Sequence, residues 1–464
     1  MKKIILLLII SIYTTNSFAQ KRPNIILVMS DDQGWGQTSY NNHPILKTPN
    51  IDAMAENGIR LDRFYATPVC STSRATVLTG RSNDRTGVFN HGFPLRLQEK
   101  TIAQALKEQG YKTAHFGKWH LSGLKGPGAP ILKENNRNPT AFGFDEWVTV
   151  SNYFDSNPIM SHNGEIKEYK GSSSDIIVKL ALKYIAENQD KPLFIVIWYG
   201  SPHTPHIPLG QDKKELPKDL ASRTKNYLGE VVEIDKSIGL LRKDLAKMGL
   251  SENTLLWFNS DNGGLKQDKN GVGGLRGHKF DVYEGGLRVP CVIEWPSKIK
   301  KGIISTYPAS TMDIFPTIAD LLNLPKSIMI HPVDGMSISP VLFEDTVDSD
   351  KFIPFKFENV GALIKGNYKL VCTSIEQKNF ELYNLDMDKT EANDISNIET
   401  KKAKELIQIY STWLASVNNS VAGNDYKDGL FSPDPKPQQK WHLLPEYENY
   451  FKEWKDRPEY RRLK

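Results

Sequence analysis

Short apolar runs recur along the chain, and each ends in polar residues able to do chemistry. Asn24 to Met29 reads as a buried strand and opens into Ser30-Asp31-Asp32. Tyr111 to Phe116 opens into Gly117-Lys118-Trp119-His120, Leu193 to Tyr199 into Ser201-Pro202-His203, and Thr254 to Phe258 into Asn259-Ser260-Asp261-Asn262. Helical patterns lie between them, Thr101 to Gln109 and Ser174 to Asn188, the second with apolar residues at i, i+3 and i+4. This alternation predicts an α/β fold built on a central mixed, mostly parallel sheet flanked by helices. In such folds ligands bind beyond the carboxyl ends of the strands, where all of these polar clusters stand.

From about Pro340 to Lys356 the chemistry thins out. Phe357 to Thr373 and Phe380 to Leu385 then predict antiparallel strands, and Lys401 to Ser416 a helix. The expected organisation is a catalytic domain over residues 20–345 and a smaller α+β C-terminal subdomain over 346–464. The latter ends in a basic, aromatic tail from Lys436 to Lys464, wrapped on the surface or partly disordered.

Composition narrows the class. With 464 residues, 39% hydrophobic and 24% charged, the chain is ordinary globular material with enough residues for a large core. Lys2 and Lys3, the apolar run Ile4 to Ile12 and the small-residue site Ser17-Phe18-Ala19 read as a signal peptide over residues 1–19. The run is too short to span a bilayer, so no membrane anchor is expected, and the mature protein is expected in a periplasm or outside the cell. Loss of the two leader lysines lowers the formal net charge from +5 to +3. Such a balance suits anionic substrates but lacks the concentrated basic stripe of a nucleic-acid binder. The three cysteines, Cys70, Cys291 and Cys372, are too few for a disulfide framework. Cys291 and Cys372 lie in apolar runs and read as core residues; Cys70 keeps different company.

Cys70-Ser71-Thr72-Ser73-Arg74 begins a predicted helix that Gly80 ends. A helix amino end favours sulfate or phosphate, and Arg74 adds a planar donor for the same oxygens or for a nucleophile. Taken alone, Cys70 reads more readily as a buried cysteine beside a helix cap. Asp31, Asp32, Asp261 and Asn262 are hard oxygen donors without the sulfur or imidazole of zinc sites, so they suit calcium first and magnesium second. Either pair by itself would be ordinary turn chemistry; two pairs at strand ends are not. Lys118 and His120, two apart in an extended segment, can point to one side. His203 and Lys279 arrive from separate loops. Asn90, His91, His206 and His278 lie near these motifs and are further candidates for lining a substrate pocket.

Cys70 to Arg74 followed by Leu78-Thr79-Gly80-Arg81 resembles the signature of the type I sulfatase family. Asp31-Asp32-Gln33-Gly34-Trp35-Gly36, Gly117-Lys118-Trp119-His120, Pro202-His203-Thr204-Pro205, Ser260-Asp261-Asn262-Gly263, and Lys279 before Tyr283 to Pro290 resemble further blocks in the family's order. Glu381 to Leu385 resembles its C-terminal block, and Thr72 stands where the pattern has Pro or Ala. The resemblance implies an alkaline-phosphatase-like architecture. It also implies oxidation of Cys70 to formylglycine (3-oxoalanine) by a maturation enzyme, and one divalent cation at Asp31, Asp32, residue 70, Asp261 and Asn262. In the implied chemistry the hydrate of residue 70 attacks sulfur. Lys118, Lys279 and His203 balance sulfate charge, His203, alone or with Lys279, protonates the leaving oxygen, and His120 takes the remaining hydroxyl proton. Sulfated saccharides, algal glycans or glycosaminoglycans, are the implied substrates. Competing expectations are a phosphate or phosphonate ester hydrolase on the same fold and a noncatalytic glycan-binding protein.

Overall fold

The computed structural model describes residues 22–343, 350–426 and 439–463. The expected leader and the expected boundary near residue 345 lie outside these residues. A 10-stranded sheet forms the centre. Its middle runs Thr254–Ser260, Asn24–Ser30, Leu193–Trp198, Lys112–Lys118 and Glu146–Val150, side by side and all parallel. Cys291–Glu294 joins antiparallel on one flank and Ile159–His162 on the other, which makes the sheet mixed as predicted.

The strand Asn24–Ser30 is buried at every position, as befits a parallel strand covered on both faces. Its side chains alternate between two cores. Ile25, Leu27 and Met29 pack with the helices Cys70–Thr79, Ile102–Glu108 and Ile314–Leu321. Ile26 and Val28 pack with Pro49–Glu56, Ser173–Glu187 and Ser222–Lys247. Thr101 and Gln104 close a capping box at the start of Ile102–Glu108. Among the described residues no helix is long and apolar enough to cross a membrane. Cys70, Cys291 and Cys372 are free and buried.

The region expected to hold strands from Phe357 instead carries four, Phe352–Phe357, Val360–Lys365, Tyr368–Ser374 and Asn379–Asn384, all antiparallel. The long apolar run is cut by turns at Glu358 (φ 52°) and Gly366 (φ 57°). The following helix, Thr400–Val421, runs past its expected end and covers one face through Leu406, Tyr410 and Trp413. The other face packs on Tyr65, Val69, Val282 and Leu287. The tail is anchored by aromatic residues: Trp441, Tyr447 and Tyr460 are buried and donate to the carbonyls of Pro127, Pro130 and Gly128 at 2.8, 2.9 and 2.8 Å.

A buried ionic joint ties the small sheet to the loop that carries Lys279. Lys369 Nζ lies 2.9 Å from both Glu284 and Glu391, and Glu284 N donates to Glu391 Oε2 at 2.6 Å. Arg276 donates to Tyr383 Oη at 2.9 Å and to the Glu391 carbonyl at 2.7 Å. Lys369→Ala takes from two buried carboxylates the cation they share, leaving Glu284 only the longer Arg288 pair at 3.6 Å. It is expected to cost about 3–5 kcal/mol in urea unfolding, against a small cost for adding Glu284→Gln and Glu391→Gln to Lys369→Met.

Candidate active site

The parallel register brings the ends of the strands together. Ser30 lies beside Ser260 and Lys118 beside Val150, so Asp31-Asp32, Asp261-Asn262 and Lys118 leave the same edge of the sheet. Asp261 N donates to the Ser30 carbonyl at 3.1 Å, and Asp32 N returns a hydrogen bond to Asp261 Oδ1 at 3.1 Å. The chain turns sharply at this edge. Asp32 (φ 68°) and His120 (φ 56°) both hold left-handed backbone, which is uncommon for residues with a side chain and concentrates at functional sites.

Cys70 is the first residue of the buried helix Cys70–Thr79, after extended Val69, and Gly80 (φ 71°) ends it as predicted. Cys70 Sγ lies 3.2 Å from His120 Nδ1. Ser71 ties helix to loop, donating to the His120 carbonyl at 2.9 Å and accepting from Gly92 N at 2.7 Å. Thr72 turns its hydroxyl to the Val69 carbonyl at 2.7 Å, away from Cys70 chemistry. Ser73 donates to the Asp261 carbonyl.

The site is a knot of buried charge. Arg74 Nη2 reaches Asp261 at 2.9 Å and Asp31 at 3.3 Å, with its Nη1 on the Lys118 carbonyl at 3.1 Å and its plane over Trp198 at 5.0 Å. Lys118 pairs with Asp31, and Lys279 with Asp32. Burial pushes the Asp31 carboxyl up, but Lys118, His203, Arg74 and Lys279 outweigh it and hold Asp31 well below the usual range. Asp261 is pushed up to about 7 by burial and by the charge of Asp31. Burial and the neighbouring cations drive His120 well down, while burial raises the Cys70 thiol. His203 is pushed down to about 4 by burial, although Asp32 lies 3.9 Å from its Nε2. Its Nδ1 faces the Thr204 carbonyl at 2.8 Å, which leaves Nε2 for the cleft, and Tyr153 stacks on its ring at 4.7 Å.

This donor set fits a hard cation. Asp31, Cys70 and Asp261 bring ligand atoms within 4.8 Å of one another, as do Asp31, Asp32 and His203. Asp31 Oδ1 and Asn262 Oδ1 are buried oxygens without a hydrogen-bond partner, which a buried polar atom does not tolerate cheaply. Asp261 and Asp31 compete for the same Arg74 charge, and a bound divalent cation would supply the further positive charge they lack. Residue 70, Asp31, Asp32, Asp261 and Asn262 are therefore the residues able to hold it.

The remaining sequence candidates fall in different places. Asn90 donates to Glu358 Oε1 at 2.6 Å on the rim, and His91 meets the ring of Phe280 edge-on at 6.3 Å. His206 is buried behind the site against Tyr227, 3.8 Å from Glu230, and presents no open face. His278 is held by Asp281, with Nδ1 2.6 Å from its carboxylate. Sequence reasoning missed Tyr153 under His203, and Tyr227, whose hydroxyl donates to the Asp32 carbonyl. Neither carries a pattern, because each meets its partner only through the fold.

The Sulfatase family model matches residues 23–324, and the N-sulphoglucosamine sulphohydrolase C-terminal model matches 277–419. The chain belongs to the sulfatase family and is a sulfuric ester hydrolase. It is 30% identical over 387 residues to N-acetylgalactosamine-6-sulfatase of Canis lupus familiaris, covering 76% of this chain and 72% of that protein. It is 29% identical over 354 residues to an ulvan-active sulfatase of Formosa agariphila, covering 71% and 67%. The solved structure of Ps i-CgsB superposes with a TM-score of 0.75 at 24% identity, covering 93% of this chain and 100% of that one, and so shares the fold.

Calcium added to chelator-stripped protein is expected to raise its stability, by about 2.7 kcal/mol at a hundredfold excess over Kd, with magnesium doing less. Asp32→Asn is expected to remove most of that gain in a thermal-shift titration. Absence of any stabilisation by either cation contradicts the assigned ligand set.

Proposed function

We propose that the chain is an exported sulfatase that removes sulfate from sulfated saccharides, working through formylglycine at position 70 and one calcium ion. The observation that carries this reading is the placement of Cys70: a helix-start side chain with His120 Nδ1 at 3.2 Å and the Asp31 and Asp261 carboxylates around it. An isolated core cysteine has no use for that company. Because Cys70 is only 2% exposed, the maturation enzyme has to reach it before the fold closes.

When bound, the cation and the aldehyde hydrate supply an oxygen nucleophile that is ionised at neutral pH. The chain's own groups do the rest. Arg74 holds Asp31 and Asp261 in place, and Lys118 and Lys279 offer ammonium groups to the sulfate oxygens as charge moves onto them. His203, with Nδ1 committed to Thr204, presents Nε2 to the departing alcohol oxygen and delivers its proton there once the sulfate's negative charge stands beside it. His120 Nδ1, within reach of the residue 70 side chain, accepts the proton whose removal frees sulfate.

Support for saccharides as substrates comes from the relatives, one a sulfatase of N-acetylgalactosamine 6-sulfate by name and one active on ulvan. The leader read at residues 1–19 suits an enzyme meeting such polymers in the periplasm or outside the cell.

Sulfate release separates this reading from a phosphate or phosphonate hydrolase and from a binding protein. His203→Ala is expected to slow hydrolysis of a sugar sulfate about 10²- to 10⁴-fold, and to slow 4-nitrophenyl sulfate far less, because nitrophenolate leaves without a proton. Faster turnover of matched phosphate or phosphonate esters, or no turnover of any ester by mature protein, contradicts the assignment.

A further inference from the structure

Phe280 follows Lys279 directly and is 51% exposed, among the large apolar side chains most open to water. Its backbone sits at φ 79°, a conformation in which a bulky residue is a steric outlier and glycine is at ease. Burial does not repay that strain. His91 meets the ring edge-on at 6.3 Å, Phe357 is tilted to it at 6.5 Å, and the Lys279 ammonium lies over it at 5.7 Å, yet half of the side chain stays in water. Folding favours glycine here and solvation favours a polar group, so an aromatic held against both preferences points to an occupant from outside the chain.

The surroundings define that occupant's chemistry. Phe280 N donates to the Pro68 carbonyl at 3.0 Å, which fixes the residue beside the segment leading into Cys70. Lys279 Nζ lies 5.7 Å from the centre of the ring, so a flat apolar face adjoins a site for an anion. Polar groups stand next to its two aromatic neighbours, His91 and Phe357. Glu358, itself at φ 52° in the turn between Phe352–Phe357 and Val360–Lys365, accepts from Asn90 at 2.6 Å, and Asn90 Oδ1 lies 3.0 Å from His91 Nδ1. A ligand that fits carries an anionic group, one face of C–H bonds and a rim of hydroxyls. That is a sulfated pyranose.

We infer that Phe280, with His91 and the Asn90–Glu358 pair at its edge, forms the subsite that receives the sugar ring bearing the sulfate. This assignment rests on the reading of Lys279 as a sulfate-binding cation. It makes the C-terminal sheet, through its first turn, a determinant of which saccharide is accepted.

The test compares mature wild type with Phe280→Gly and Phe280→Tyr. Glycine relieves the backbone, so Phe280→Gly is expected to melt no lower than wild type. The probes are N-acetylgalactosamine 6-sulfate, ulvan and carrageenan oligosaccharides, 4-nitrophenyl sulfate, and inorganic sulfate as competitive inhibitor. On the best saccharide Phe280→Gly is expected to raise KM about tenfold, the loss of one stacked ring face, with kcat and the inhibition constant of inorganic sulfate within about twofold. Phe280→Tyr is expected to keep wild-type KM. An unchanged KM, or a KM and a sulfate inhibition constant that rise together, overturns the subsite. Wild type that cleaves the aryl ester but none of the saccharides overturns it too, while leaving the sulfatase reading intact. Wild type that releases sulfate from no ester overturns the underlying reading and the subsite together.

Discussion

Everything near Cys70 depends on keeping three carboxylates and three cationic side chains paired out of water. Asp31, Asp32 and Asp261 face Arg74, Lys118 and Lys279, all of them buried. Removing such charges from solvent costs several kcal/mol each, and only close, correctly placed partners offset it. The architecture supplies that placement. Five adjacent parallel strands set their last residues at one level, a buried helix holds Arg74 beneath them, and the Lys369 joint holds the loop that brings Lys279. The balance of charge is even, so in the proposed reading a bound divalent cation leaves the site net positive and receptive to an anionic ester.

The same constraint explains why the site was so legible in the sequence. Buried charge can sit only where the backbone delivers it in register, so the acids and bases had to follow apolar strands, and they do at Met29, Phe116, Trp198 and Phe258. Fold class followed from the same alternation. Turns were harder to read: the run from Phe357 hid two hairpins, one turning at Glu358, whose left-handed backbone glutamate does not advertise, and one at Gly366-Asn367, an ordinary turn pair embedded in an apolar run. Aromatic supports such as Tyr153 and Tyr227 were invisible, since their partners are tens of residues away and any buried tyrosine looks alike in sequence. His206 illustrates the converse. Its closeness to His203 along the chain suggested the pocket, but the left-handed backbone at residue 206 (φ 62°) accompanies a side chain turned inward to Tyr227.

Thr72 is the one departure within the residue 70 motif, and its position clarifies what it touches. Its hydroxyl is spent on the Val69 carbonyl and on Thr67, local contacts at the helix start, while Arg74 and Ser73 keep their links to Asp261. Thr72 thus contacts neither Cys70 nor the charged side chains directly and reaches Asp261 only through Thr67 and Ser73, so in the proposed reading its main influence would fall on maturation of the unfolded segment.

That maturation is the most direct point of attack on the account. Trypsin cuts after Arg63 and Arg74, so mass spectrometry of the peptide spanning residues 64–74 from active exported protein reads the state of Cys70. The account predicts a peptide changed by loss of the elements of hydrogen sulfide and gain of one oxygen atom, the aldehyde, in proportion to specific activity. A fully active preparation whose peptide carries only the thiol contradicts it.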